Sequence, residues 1–188
     1  MKLLMLYISW RIISGYCTKI VRQISDCYKE GSKFEATKEI SISTLNWDSC
    51  NKCEYECFNS AGDCRYIKDD VKRVYSEILN HDMTIFIIPV YSDYPCSNYF
   101  IFRERSQFVF DSNGIYEDFL SKKKKFIIIS NTSDDDVIKV LKNDNKSIRN
   151  EDVFIVKTQD YNVKSVKGSI TENRAFISNL DTFLNNIK

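Results

Sequence analysis

Short runs of apolar residues alternate along the chain with longer segments in which apolar residues recur every three or four positions. A short apolar run is typical of a strand buried on both faces of a sheet, and the longer spacing is typical of a helix with one buried face. The pattern therefore predicts five strands separated by helical sequence, without an internal repeat. The predicted strands are Lys2–Ile8, Phe34–Ile42, Met83–Ile88, Phe126–Ile129 and Val153–Val156.

Two of these strands carry further information. Phe34–Ile42 is more polar than the others, which favours an edge position in the sheet. Met83–Ile88 is followed by Pro89, and we expect the strand to stop there and to lead into a loop. The helices are predicted from Tyr16 to Gly31, from Asp69 through Leu79, from Pro95 to Phe110, over Ile115–Leu120 and Asp134–Leu141, and from about Thr171 to the end.

Strands that alternate with helices pair in parallel through right-handed crossovers. The predicted fold class is therefore α/β, a flavodoxin-like three-layer sandwich with a five-stranded parallel sheet of order 2-1-3-4-5. The 188 residues fit one domain, 1–188, with a cysteine-rich insertion at about 45–68. In such sheets ligands bind where the carboxyl ends of strands one and three meet. The loops at that point are Ser9–Gly15 and Pro89–Tyr94.

Composition excludes several other classes of protein. A net charge of +1, from 27 basic and 26 acidic residues, gives no electrostatic reason for a nucleic-acid partner. No segment approaches the roughly 20 apolar residues that span a bilayer, so no membrane association is expected. Seven cysteines, an odd number, favour a cytoplasmic protein with reduced thiols. The basic run Lys122–Lys125 and the single histidine, His81, are predicted to lie in exposed turns.

The first loop has the composition of a phosphate site. The start of a helix offers unpaired N–H groups and the positive end of its dipole. Ser9, Ser14 and Thr18 add hydroxyl groups there, and Arg11 adds a positive charge. Plain capping of the following helix explains the same hydroxyl residues, and it is the interpretation that the spacing alone favours.

Several motifs together resemble the NADPH-dependent FMN reductase family over about residues 2 to 110. Ser9-x-Arg11-x-x-Ser14 is similar to the family's phosphate loop, Gly-Ser-Pro-Arg-x-x-Ser. Pro89-Val90-Tyr91 matches the loop after its third strand, and Arg103-Glu104-Arg105 falls where the family often has an Asp-Arg pair. The cysteine series Cys50, Cys53, Cys57 and Cys64 resembles an insertion in the branch that includes the iron–sulfur flavoproteins.

The resemblance implies FMN as cofactor and NAD(P)H as co-substrate, with hydride chemistry supplied by the flavin. It places the flavin phosphate on the first loop and the ring beside the later loops, without a general acid or base. The residues assigned by position are Ser9, Arg11, Ser14, Tyr16 and Thr18 for the phosphate, and Pro89, Val90, Tyr91, Ser92, Asn131 and Thr132 for the ring.

The four cysteines of the insertion admit three interpretations. Cys50, Cys53, Cys57 and Cys64 are the predicted metal ligands, either of a four-iron cluster or of zinc. The third interpretation is an unmetallated loop in which cysteines pack as small apolar residues or pair under oxidation. Cys96 begins a predicted helix, where a thiol pKa is sometimes lowered, but we predict that it is inert.

The sequence thus favours an FMN-dependent NAD(P)H oxidoreductase that passes electrons to a small-molecule acceptor. Alternatives are an electron carrier resembling the iron–sulfur flavoproteins and a non-catalytic interaction module with the same fold. Phe100, Phe102, Phe108 and Phe110 exceed what one helix face buries in a monomer, which indicates an interface. The resembled family is commonly dimeric, so we expect a homodimer.

Overall fold

A computed structural model describes residues 1–9, 16–29, 34–50, 53–58, 64, 68–110, 114–164 and 169–186. Within them, six strands form one sheet, in which β2, β1, β3, β5 and β6 lie side by side in that order and are all parallel. The strands are β1 (Lys2–Tyr7), β2 (Ala36–Ser41), β3 (Met83–Tyr91), β4 (Tyr94–Pro95), β5 (Lys123–Ile129) and β6 (Val153–Val156).

The α/β class, the parallel sheet and the edge position of the second strand are confirmed. The predicted strand count is wrong, because the two-residue β4 pairs antiparallel with β3. The prediction that the third strand stops at Pro89 is wrong for the same reason. The backbone groups of Pro89, like those of Ile87 two residues earlier, point to the side of β3 on which β1 lies. However, β1 ends before it reaches the level of Pro89. The missing N–H of proline therefore breaks no ladder, and the Pro89 carbonyl accepts the Cys96 N–H at 3.1 Å.

Helices cover both faces of the sheet. The strands β1, β3, β5 and β6 alternate their side chains between two apolar clusters, one containing Leu4 and Phe86 and the other containing Leu3 and Ile85. The helix that begins near Asp69 starts at Val71, whose N–H is accepted by the Asp69 carboxylate at 3.1 Å. The helices are α1 (Tyr16–Lys29), α2 (Val71–Asn80), α3 (Ser97–Glu104), α4 (Gln107–Phe110), α5 (Ile115–Ser121), α6 (Asp135–Asp144) and α7 (Arg174–Asn185).

The helix predicted from Pro95 to Phe110 is two helices, α3 and α4, separated at Arg105 and Ser106. The break changes the direction of the chain and lets Phe102 and Phe108 both reach the core, where they are 4% and 5% exposed. Phe102 stacks on Tyr75 with ring centroids 4.6 Å apart. The surplus of phenylalanine that suggested an interface is therefore mostly absorbed within one chain, and the homodimer stays a prediction.

Two predictions about exposed polar residues are wrong. Lys124 and Lys125 belong to β5 and are each 8% exposed, because long side chains let their amines reach backbone carbonyls while the stems stay covered. His81 is also 8% exposed, with its Nδ1 2.6 Å from the Glu77 carbonyl oxygen. None of the helices in the described ranges has the length and apolar character needed to cross a bilayer.

Candidate functional site

The exits of β1 and β3 lie beside each other at the carboxyl edge of the sheet. The Ile8 N–H donates to the Ile87 carbonyl at 2.9 Å, and the Cys96 thiol donates to the Ile8 carbonyl at 3.0 Å. Ser9, which follows directly, is 5% exposed. The two loops singled out in the sequence therefore start at one edge, as predicted. Arg11 and Ser14, however, fall within 10–15, outside the described residues.

The other three residues predicted to hold the phosphate are described. Ser9 and Thr18 are buried, and the Ser9 hydroxyl forms a hydrogen bond with the Cys17 thiol. The Tyr16 hydroxyl donates to the Lys164 carbonyl, which follows β6 and its short 3-10 helix at the same edge. These contacts fix the start of α1 against the sheet.

The loop after β3 is a tight hairpin. Val90 pairs with Pro95 and Tyr91 with Tyr94, which leaves only Ser92 and Asp93 in the turn. Both have positive φ, 50° and 69°, as a type I′ turn requires at its two central positions. Val90 is buried, whereas Tyr91 and Tyr94 are 57% and 49% exposed at the tip. Two aromatic faces thus stand at this edge, where a planar ligand would stack.

Replacing Asp93 with glycine is expected to stabilise the protein by about 1 kcal/mol, because glycine adopts positive φ without steric strain. The change also removes a buried carboxylate oxygen, Asp93 Oδ1, that has no hydrogen-bond partner. Urea unfolding measures the difference. The same replacement at Asp136, inside α6, is expected to lower stability by a similar amount, since glycine weakens a helix. A loss of stability in Asp93→Gly would contradict the strained-turn interpretation.

Asn131 and Thr132 follow β5 at the same edge, as predicted. The Asn131 side-chain oxygen accepts the Thr158 hydroxyl at 2.5 Å and the Thr158 N–H at 3.2 Å. The Thr132 N–H donates to the Ser130 hydroxyl at 3.3 Å. Sequence analysis did not identify Thr158, which lies just after β6. The available signal was its position: Thr158 is a hydroxyl residue two positions after β6, just as Asn131 lies two positions after β5.

The thiols at this edge are poor nucleophiles. Burial, with a smaller contribution from the nearby Cys96, raises the pKa of Cys17 to about 12. Burial also raises the pKa of Cys96, more than its contacts with backbone N–H groups lower it. The prediction that Cys96 is inert agrees with this environment, and thiolate chemistry at the edge is disfavoured.

Comparison with solved structures identifies the fold. No protein-family model matches the sequence, and no curated protein matches it either. Among solved structures, RosB with a bound intermediate, 8-demethyl-8-formylriboflavin-5′-phosphate, is similar at 14% identity and a TM-score of 0.67, over 97% of this chain and 75% of RosB. An FMN-dependent NADH-azoreductase from Bacillus anthracis, in complex with FMN, is 16% identical with a TM-score of 0.62, over 100% of both chains.

The chain has the fold of the FMN-dependent azoreductases. A third similar structure with this fold is FerB from Paracoccus denitrificans, a flavoenzyme NAD(P)H:acceptor oxidoreductase, which is 12% identical with a TM-score of 0.55 over 98% of this chain and 95% of FerB. At identities of 12% to 16% the likeness concerns the fold alone.

A flavin nucleotide fits the polar groups at the carboxyl edge of this azoreductase fold. Asn98, in the first turn of α3, is fully buried, and among the described residues neither its side-chain oxygen nor its nitrogen has a hydrogen-bond partner. It lies two residues from Cys96, whose thiol contacts the end of β1. A buried amide without partners is costly, and it is expected where a ligand supplies the missing hydrogen bonds. Sequence analysis did not single out Asn98, because asparagine near a helix start is also a common capping residue.

The cysteine insertion is held by the far end of α3. Arg105 is 1% exposed, and its Nη1 lies 2.6 Å from Asp69 Oδ2 and donates to the Asp48 carbonyl at 2.7 Å. Its Nη2 contacts the Cys64 sulfur at 3.7 Å. The Cys50 N–H donates to the Glu104 carboxylate at 2.7 Å. The last residue of α3, Glu104, and its C-cap, Arg105, thus bind both the start and the end of the insertion.

The four cysteines of the insertion differ in their surroundings. Cys50 is exposed, Cys53 and Cys64 are partly buried, and Cys57 packs in the apolar cluster on one face of the sheet. Across the described ranges, no group of three or more His, Cys, Asp or Glu side chains is arranged to hold a metal ion. The predicted iron–sulfur cluster and zinc site therefore receive no support. Cys57 agrees with the interpretation that these cysteines pack as small apolar residues.

Proposed function

We propose that this protein is an FMN-dependent oxidoreductase that accepts hydride from NAD(P)H and passes electrons to a small-molecule acceptor. The observation that carries the proposal is the convergence of the β1 and β3 exits near the buried Asn98 amide, which has no hydrogen-bond partner in the described part of the chain. Ligands of open α/β sheets bind at this switch point. The fold shared with the FMN-dependent azoreductase supports the same conclusion.

The flavin phosphate is assigned to the first loop and the start of α1, through Arg11 and Ser14 with Ser9, Tyr16 and Thr18. A 14-residue helix presents N–H groups and the positive end of its dipole to an anion there. Because Ser9 and Thr18 are buried, they orient the backbone as well as offering hydroxyl groups.

The flavin ring is assigned to the hairpin after β3 and the end of β5. Pro89 and Val90 form the rigid base of the hairpin, and Tyr91 and Ser92 border the ring at its tip. Asn131 and Thr132 border it from the β5 side, where the bond to Thr158 fixes the Asn131 amide. Bound FMN supplies the hydride chemistry, while these residues hold the ring and limit access of water to it.

The phosphate assignment is tested with Arg11→Ala. Loss of a charge-assisted contact to phosphate is expected to weaken FMN binding by about ten- to hundredfold. Titration of the flavin-free protein with FMN, followed by flavin fluorescence, measures the dissociation constant. Lys19→Ala removes a positive charge from the first turn of α1 and is the matched control, for which a smaller effect is expected.

Equal effects of the two substitutions would remove the phosphate role from Arg11. Failure of the wild-type protein to bind FMN at all would overturn the proposed function. The FMN-loaded protein is expected to oxidise NADH or NADPH when a quinone or an azo dye is supplied as acceptor. The small-molecule acceptor, the homodimer and the cytoplasmic location remain predictions.

A further inference from the structure

Two adjoining hollows lie against one side of the sheet and extend to the edge where the strands begin. The larger, of about 920 Å³, lies between β3, β5 and the helices α2, α3 and α5. The smaller, of about 650 Å³, lies along the lysine run that enters β5. Lys124, Asn145 and Ile148 line both hollows. Together they form one elongated cavity, each part of which is large enough for a small organic molecule.

Aromatic rings form much of the wall of the larger hollow. Around Tyr75, the ring centroids of Phe102, Phe110 and Phe119 lie 4.6, 5.2 and 5.7 Å away. Phe102 is parallel to Tyr75, and Phe110 stands edge-on to it. Such surfaces favour a flat aromatic ligand over a branched aliphatic one, because stacked and edge-on ring contacts add to the burial of area.

The smaller hollow has a cationic wall. Its charged lining consists of Lys122 to Lys125 and Arg149 against Glu151 and Asp152, which leaves an excess of positive charge. Both acidic residues already form ion pairs with basic residues of the same wall. Asp152 lies 3.0 Å from the Lys125 amine and 3.2 Å from Arg149, and Glu151 lies 2.5 Å from Arg149.

Lys124 stands where the aromatic and the cationic parts meet. It is 8% exposed, and its amine donates to the carbonyls of Phe119 and, at 3.1 Å, Lys122, with the Phe119 ring centroid 4.2 Å away. In the part of the chain that the structure describes, it forms no ion pair with a carboxylate. Burial, together with a smaller effect of the charge of Lys122, lowers its pKa to about 8. A bound anion would offset this unfavourable burial of positive charge.

We propose that this cavity binds a planar aromatic molecule bearing one anionic group, with the ring among Tyr75, Phe102 and Phe119 and the anion at Lys124. The proposal does not depend on the flavin site, since Lys124 is the second residue of β5 and lies at the edge of the sheet opposite the exits of β1 and β3. It assigns the protein a second small-molecule site, suited to an effector or a storage ligand in the class of aryl carboxylates, sulfonates or phosphates.

The test compares 2-naphthoate with the neutral 2-naphthamide by calorimetric titration of the whole protein. The wild-type protein is expected to bind naphthoate at least about tenfold more tightly than the amide, because a buried ammonium favours an anion. Lys124→Gln keeps a donor for the helix-end carbonyls but removes the charge, so it should abolish that preference. Lys139→Gln, at an exposed lysine paired with Asp136 on α6, is the matched control and should preserve it.

Phe119→Leu provides a second variant, which keeps the charge and removes one ring. It is expected to weaken both probes by a similar factor. All titrations are repeated with saturating FMN, which should leave them unchanged, so that failure of the proposed flavin function does not affect the result. The proposal is overturned if naphthoate does not bind at millimolar concentration, if the two probes bind equally to the wild type, or if folded Lys124→Gln retains the preference.

Discussion

Arg105→Met is expected to lower the free energy of unfolding by about 3–5 kcal/mol. The substitution keeps the bulk of the side chain but leaves the Asp69 carboxylate, which is 8% exposed, without its charged partner 2.6 Å away. It also removes the donor to the Asp48 carbonyl. Breaking a buried pair on one side is costly because the remaining charge stays out of water. Urea unfolding, monitored by far-ultraviolet circular dichroism, measures the change.

The matched control is Arg73→Met. Arg73 is 49% exposed and lies 2.8 Å from Asp70, so its loss is expected to change stability by at most about 1 kcal/mol. In the double variant Arg105→Met with Asp69→Leu, part of the lost stability should return, because no unpaired charge remains. Similar losses in Arg105→Met and Arg73→Met would show that the buried pair does not hold the cysteine insertion.

Asn98→Leu is expected to have opposite effects on the flavin-free protein and on flavin binding. Because the buried amide has no partner within the ranges that the structure describes, its replacement by an apolar side chain of similar shape should raise the free energy of unfolding of the flavin-free protein by about 1–2 kcal/mol. If the amide meets the flavin, FMN binding should weaken by about tenfold. Urea unfolding without flavin and FMN titration measure the two effects separately.

Asn179→Leu is the control for Asn98→Leu, because Asn179 is exposed on α7 and the change there should alter stability by less than about 0.5 kcal/mol. Stabilisation of Asn98→Leu with unchanged FMN affinity would place the amide outside the flavin site. Destabilisation would mean that Asn98 serves the packing of α3. Asn98→Ala, which cannot overpack the core, distinguishes that result from steric strain.

The three central strands β1, β3 and β5 were predictable because their apolar runs are almost fully buried. The bounds predicted for β6, Val153–Val156, are those of the structure. The strand β4 was not predictable, since two residues show no alternation and the turn before it uses serine and aspartate at positive φ rather than glycine. The predicted exposure of Lys124 and Lys125 was also wrong. A run of four lysines indicates solvent exposure, but Lys124 and Lys125 are buried because their amines reach backbone carbonyls beside the start of the strand.

The candidate site was predictable in place but not in detail. Loops after the first and third strands were expected to meet because parallel strands share one carboxyl edge. Asn98 and Thr158 were missed, since their importance depends on which partners surround them in space. Arg105 was placed in a motif shared with flavin reductases, and its side chain instead forms the buried contacts of the insertion. A single sequence does not reveal which of two neighbouring arginines is buried.

Helix α3 joins two distant parts of the molecule through its eight residues. Its first turn stands at the sheet edge assigned to the flavin, and its last residue and C-cap grip the cysteine-bearing segment about 12 Å away. A helix of about two turns moves nearly as a rigid body, so a tilt at its C-terminal end displaces its first turn. Oxidation or shortening of the cysteine segment is therefore expected to shift Asn98 at the other end of the helix, and this shift requires no contact between that segment and the flavin.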